Sequence, residues 1–254
     1  MCSPDIAGHG LFARTRQSGS GSPLPLSLMA MLAQWILLAR SVLLQRRVLL
    51  ALAAVAFFAV APQSRATPET DAVTGPAVPV EQLDDALLVA MKAGQSTPFL
   101  ARYRALVPVI EQVFDLDRVL AESVGFSWPT VAPEQKARLE AAFLRYTVAT
   151  YVANFNSYSG QGFEVVPGVR DVGNGEVVVR TRLLRPNQSP VKLDYVMRKG
   201  AAGWKAVDVL TNGSISRVAV QRADFQESLA SGGVPALTAG LDRKVASLSG
   251  GVVG

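Results

Sequence analysis

The stretch GFEVVPGVRDVGNGEVVVRTRLLRPNQSPVKLDYVMRKGAAGWKAVDVLT, Gly162 to Thr211, decides the fold. Its apolar residues recur at every second position, the repeat of a strand with one buried face. Val177, Val179, Thr181 and Leu183 fall on one side, and Glu176, Arg180 and Arg182 on the other. Val191, Leu193, Tyr195 and Met197 likewise oppose Lys192, Asp194 and Arg198. Four strands are predicted: Phe163–Arg170, Glu176–Leu184, Val191–Lys199 and Trp204–Thr211. The connections Gly173-Asn174-Gly175, Pro186-Asn187-Gln188 and Gly200-Ala201-Ala202-Gly203 are short and made of turn residues. Neighbouring strands therefore pair antiparallel, as a meander with one greasy face and one wet face.

Outside this stretch the repeat is helical. Ser159-Gly160-Gln161-Gly162 marks the switch. Before it, Pro133 opens a long helix to about Tyr158, with Leu139, Phe143, Tyr146, Thr150, Tyr151, Asn154, Phe155 and Tyr158 on its apolar side. Leu116–Val124 is a short helix stopped by Gly125, with Asp115 placed to cap it. Phe99, Tyr103, Leu106, Val107, Ile110 and Phe114 form one stripe, opened by Thr97-Pro98 and kinked or divided at Pro108. Val80–Ala93 carries Val80, Leu83, Leu87, Ala90 and Met91 at helical spacing and ends at Gly94. After the strands come helices over Ser216–Ala230 and Val234–Leu248. Helices, then strands, then helices make an α+β domain: a twisted four-stranded antiparallel meander packed against helices. It spans residues 80–248. A Thr-, Ala- and Pro-rich linker, 67–79, precedes it, and a disordered tail, 249–254, follows.

The first 66 residues read as an N-terminal extension and secretory signal. Arg46 and Arg47 precede a 13-residue apolar run, Val48 to Val60, and Ser64-Arg65-Ala66 offers small residues where a signal peptidase reads them. Cleavage after Ala66 would start the mature chain at Thr67. An uncleaved anchor would have to recruit Trp35 to Leu44 across Arg40, Gln45, Arg46 and Arg47, because 13 residues are too few to cross a bilayer. Met29 and Met31 are alternative starts. Six of the 25 basic residues and one of the 20 acidic ones lie ahead of Thr67, so 19 of each follow and the formal charge is zero. That balance leaves no basic footprint for nucleic acid. The single Cys (Cys2) and single His (His9) also lie in the leader. The exported chain then has no thiol, no imidazole and no disulfide, which argues against catalysis and against a metal or other cofactor.

The remaining chemical motifs are weak. Ser189-Pro190-Val191-Lys192 has the spacing of Ser–Lys hydrolases, but in a strand Ser189 and Lys192 face opposite sides. There is no G-x-S-x-G elbow. Asn187-Gln188-Ser189 and Asn212-Gly213-Ser214 fit a glycosylation sequon and equally fit ordinary turns. Periodicity leaves the greasy sheet face open to two readings, a core filled by helices or an apolar cavity beneath them.

Trp204, Asp208-Val209, Gly213-Ser214, Arg222, Phe225 and Gly232-Gly233 fall in one block, preceded by Trp128, Pro133-Glu134-Gln135, Phe143, Tyr151 and Val191–Tyr195. In this order and spacing the chain resembles the MlaC family of periplasmic auxiliary proteins of lipid-transporting ABC systems, over roughly residues 80–248. It is most similar to the hopanoid-associated branch called HpnM. Asn212 departs from the pattern, standing where an acidic or apolar residue is expected. The resemblance implies a cavity between sheet and helices that takes lipid tails. The implied contacts are Phe143, Tyr151, Phe155, Val177, Val179, Leu193, Tyr195, Met197 and Phe225. The implied partners are a membrane lipid, phospholipid or hopanoid, and transporter components at the inner and outer membranes. The rival from another class is a non-catalytic envelope adaptor that docks on a lipid transporter with its core filled. An enzyme acting on lipid precursors is a third reading, disfavoured by the missing His and Cys.

Overall fold

A computed structural model of the chain describes residues 75–253. The proposed leader, its cleavage site and most of the linker lie outside the described residues. Five helices and five strands follow in the order α1 (Val78–Ala93), α2 (Phe99–Val113), α3 (Leu116–Val124), α4 (Pro133–Asn154), β1 (Gly162–Gly173), β2 (Glu176–Arg185), β3 (Gln188–Gly200), β4 (Gly203–Thr211), β5 (Ile215–Ser216) and α5 (Arg217–Ser249), with a 3-10 turn at Gly125–Thr130 between α3 and α4. The fold is the expected α+β arrangement, with one strand more than the pattern indicated. The sheet is antiparallel throughout, in the order β1-β2-β3-β4-β5.

Local chemistry places most boundaries. Asn174, Asn187 and Asn212 take φ near +56°, +57° and +55°, so three of the four strand connections turn on an asparagine in the left-handed region, and the β3–β4 connection turns on Gly203 at φ 101°. Asp115 accepts the Arg118 N–H and Ser216 accepts the Ala219 N–H, capping α3 and α5. Pro108 lies inside α2 without dividing it. The long helix ends at Asn154, one turn short of Tyr158, and the chain leaves helical geometry at Phe155. α5 is two helices in one: Gly232 and Gly233 are non-helical, Gly233 has φ 65°, and a Cβ on Gly232 would come within 2.8 Å of the Ala236 Cβ. The end of the chain returns to the body, where Val253 is buried beside Ala149 and Val245 and its N–H donates to Ser249. The expectation for residues 249–254 was a disordered terminus.

Apolar burial separates into two main cores. The first joins the sheet to helices: Val80, Leu83 and Leu87 of α1, Leu106, Ile110 and Val113 of α2, and Val148 and Val152 of α4 meet Val179, Tyr195, Met197 and Ala206. The second is wholly helical: Leu120 and Val124 of α3, Leu139, Ala142 and Phe143 of α4, and Val218, Phe225, Leu237 and Leu241 of α5. α4 takes part in both, because its 22 residues run about 33 Å at 1.5 Å per residue. Polar contacts join α3, β4 and α5. Asp208 accepts the N–H groups of Val209 (2.7 Å) and Val218 (3.1 Å), and Arg222 donates two bonds to the Glu122 carbonyl at the end of α3.

Candidate functional site

Register puts the expected greasy face together. Val177, Val179 and Leu183 on β2 pair with Met197, Tyr195 and Val191 on β3, and Leu193 and Tyr195 pair with Thr211 and Val209 on β4. Val165 and Phe163 of β1 extend the face beyond Thr181 and Leu183. Burial along it is graded. Val179, Tyr195 and Met197 are at most 1% exposed, while Val177, Leu183, Val191, Leu193, Val209, Val165 and Phe163 are only half-buried. Helices thus seal the middle of the face and leave apolar surface at its margins. The opposite face is less uniformly wet than its charges suggest, since Val178 is buried there, paired with Val196.

A row of aromatic rings crosses from sheet to helices above this face. Phe163 of β1 lies 6.0 Å from Phe155, Phe155 stacks 5.9 Å from Tyr151, Tyr151 lies 5.8 Å from Phe114, and Phe114 lies 6.4 Å from Tyr195. Offset and tilted ring pairs at these distances are favourable and allow a shape-tolerant apolar wall. Phe114 and Phe163 were not among the expected contacts. Phe114 sits in an isolated bridge to Ala206, and the neighbouring Asp115 N–H donates to the Ala206 carbonyl (3.0 Å). A residue between two helices gives no periodic signal for that docking.

Of the nine expected contacts, seven share this interface: Tyr151, Phe155, Val177, Val179, Leu193, Tyr195 and Met197. The other two do not. Phe143 and Phe225 form an edge-to-face pair at 6.3 Å inside the all-helical core, both nearly without exposure. Two recesses among the described residues also lie away from the apolar face. One is lined by Asp115, Arg118, Arg198, Lys199 and Lys205 at the β3–β4 turn, the other by residues 91–96 and 156–158.

The interface contains one charged group that the sequence did not single out. Asp84 of α1 is 6% exposed, beside the core residues Leu83 and Leu87, and neither carboxyl oxygen has a hydrogen-bond partner. Burial, with the nearby Asp85 and Glu81 charges adding to it, raises its pKa to about 7. Burial also pushes the Tyr151 and Tyr195 phenols above the ordinary range. The signal was present: Asp84 follows Val80 by four residues and precedes Leu87 by three, squarely on the apolar stripe. Among the described residues no group of three or more His, Cys, Asp or Glu side chains could hold a metal ion.

The described residues thus form an antiparallel sheet packed against helices, with an aromatic apolar interface between them. The chain belongs to the MlaC family, whose model, described as MlaC protein, matches residues 81–243. The fold is also that of a phospholipid-binding protein from Ralstonia solanacearum solved in complex with a phospholipid. That protein has 23% sequence identity and a TM-score of 0.59, and the match covers 68% of this chain and 98% of the other.

Proposed function

We propose that this protein is a periplasmic, non-catalytic lipid carrier that holds the hydrocarbon part of a membrane lipid between the sheet and helices α1, α2 and α4. The observation that carries this reading is the graded apolar face. Side chains from β1 to β4 and the Tyr151, Phe155 and Phe163 rings remain partly uncovered at the margins of an otherwise sealed interface. Each methylene that leaves water for such a surface is worth about 0.8 kcal/mol, so tail burial alone can hold a lipid. Family membership and the phospholipid complex of the Ralstonia relative support the same reading. The lipid is a phospholipid or a hopanoid, the head group stays in water, and the carrier passes between inner- and outer-membrane transporter components. Export by the N-terminal segment supplies the compartment.

Full burial of Val179, Tyr195 and Met197 favours the rival reading, an adaptor with a filled core that docks on the transporter. Lipid mass spectrometry of the protein purified from the periplasm without detergent separates the two. The carrier yields a stoichiometric co-purifying membrane lipid; the adaptor yields none, and vesicles add none.

A further inference from the structure

Among the described residues one large apolar side chain stands fully in solvent, Phe126; the next most exposed, Val89, is at 69%. Gly125 produces this placement. It ends α3 with φ 78°, a left-handed value that favours glycine, and turns the chain out of the helix. The 3-10 turn that follows is closed by its own bonds. The Val131 N–H donates to the Trp128 carbonyl (3.2 Å), and the Thr130 hydroxyl donates to the Ser127 carbonyl (2.8 Å). Trp128 and Val131 pack on the all-helical core, and Arg222 Nε of α5 donates to the Glu122 carbonyl (2.8 Å) just ahead of the turn. Phe126 is therefore held outward on a turn braced from α3, α4 and α5.

The charges around it are layered. Residues 125–133, Gly-Phe-Ser-Trp-Pro-Thr-Val-Ala-Pro, carry none. Ser127, Pro129, Thr130 and Ala132 are exposed beside Phe126, and Trp128 is half-buried below it. Cations stand at the base. Lys136 Nζ lies 5.2 Å from the centre of the Trp128 ring, and Arg222 Nε lies 3.8 Å from where a Gly125 Cβ would stand. Of the acids flanking the segment, Glu122 pairs with Arg118 (2.9 Å), and Glu134 lies in the first turn of α4.

We propose that this tip is a membrane contact, in which Phe126 enters the interfacial layer of a lipid bilayer with Trp128 and Lys136 at the head-group level. An apolar ring outermost, an indole behind it and cations at the base follow the layers of that interface. A protein partner fits less well. Stable protein interfaces bury about 800 Å² on each side around an apolar centre. Phe126 has no such patch, because its exposed neighbours are small or hydroxylated. A single ring gives a weak and reversible contact, since burying one Phe shifts a partition by about tenfold to a hundredfold. With Glu134 offsetting part of the basic charge, the contact needs no anionic lipid. The tip is built on the all-helical core, so the inference stands apart from what the sheet-facing interface holds.

The test is co-sedimentation of the purified mature protein with phosphatidylcholine vesicles, repeated with about one-third phosphatidylglycerol and in about 0.5 M salt. The wild type is expected to bind both kinds of vesicle to a similar extent at low and high salt. Phe126→Ser should bind about tenfold less, and Phe126→Trp about as well as the wild type. Melting temperature and co-purifying lipid should be unchanged in both, because Phe126 touches neither core; co-purifying lipid tests the carrier reading separately. Undiminished vesicle binding by Phe126→Ser overturns the contact, and so does binding that requires phosphatidylglycerol and disappears in salt. Absence of wild-type binding overturns it too, and impaired lipid delivery by Phe126→Ser would then assign the ring to a protein partner.

Discussion

The two large cores of this protein are built from similar residues and are packed differently. In the all-helical core, Phe143 and Phe225 meet edge to face, and the buried polar groups are paired: Ser123 donates to the Val119 carbonyl (2.7 Å) and to Gln221 (3.3 Å). In the sheet-facing core, apolar margins stay half-buried and Asp84 has no partner. A finished core and an unfinished one thus share the α4 helix. The first holds α3, α4 and α5 in place, and the second has the composition of a wall against which something else can pack.

The largest expected effect breaks the finished core. Phe143→Ala or Phe225→Ala should cost about 3–5 kcal/mol, the usual range for removing a buried aromatic ring. Denaturant unfolding checks this, and the lipid retained per folded molecule should not change, because neither ring touches the sheet-facing interface. Loss of lipid without loss of stability would place the site in the helical core instead.

A second effect, of the order of a few kcal/mol, is a pH slope carried by Asp84. Its pKa is about 7 in the folded protein and near 3.8 in the unfolded chain, so the folded state holds the proton more tightly. Its contribution to stability is complete below about pH 4, falls as pH rises, and is lost by about pH 7, at up to about 1.4 kcal/mol per unit. This runs opposite to ordinary acid denaturation. Asp84→Asn should flatten the slope in thermal unfolding curves between about pH 4 and pH 7 and raise the melting temperature most at the alkaline end. Parallel curves for the two proteins would contradict the buried carboxyl. Smaller again, Val179→Trp enlarges a fully packed position and should cost about 1–3 kcal/mol. Ser216→Ala removes the α5 cap and should cost about 1 kcal/mol, with bound lipid unchanged, as read by chemical denaturation and lipid extraction.

The fold was legible where a period could run. Alternation over Glu176–Leu184 and Val191–Lys199 placed β2 and β3 within a few residues, and Gly232-Gly233 placed the break in α5. β5 has only Ile215 and Ser216, too short for any repeat. The candidate site was legible by face and not by depth. The helical repeat correctly turns Phe143 and Tyr151 inward, but they are eight residues apart, about 12 Å along α4, and meet different partners. Phe143 was therefore grouped with a sheet it does not reach. Asp84 escaped notice because an acidic residue on a helix normally faces water, and only its position between Val80 and Leu87 showed otherwise.

The difference between the cores is tested most directly at Leu193, half-buried on β3 and paired with Thr211. Leu193→Trp adds bulk at the uncovered margin of the sheet face. Co-purifying lipid and melting temperature should be measured together on this variant and on the wild type. The unfinished core predicts that bound lipid falls several-fold while the melting temperature of the lipid-free protein stays within a few degrees of wild type. A large drop in melting temperature with lipid content unchanged would mean that the sheet-facing core is as full as the helical one, and that any lipid sits elsewhere.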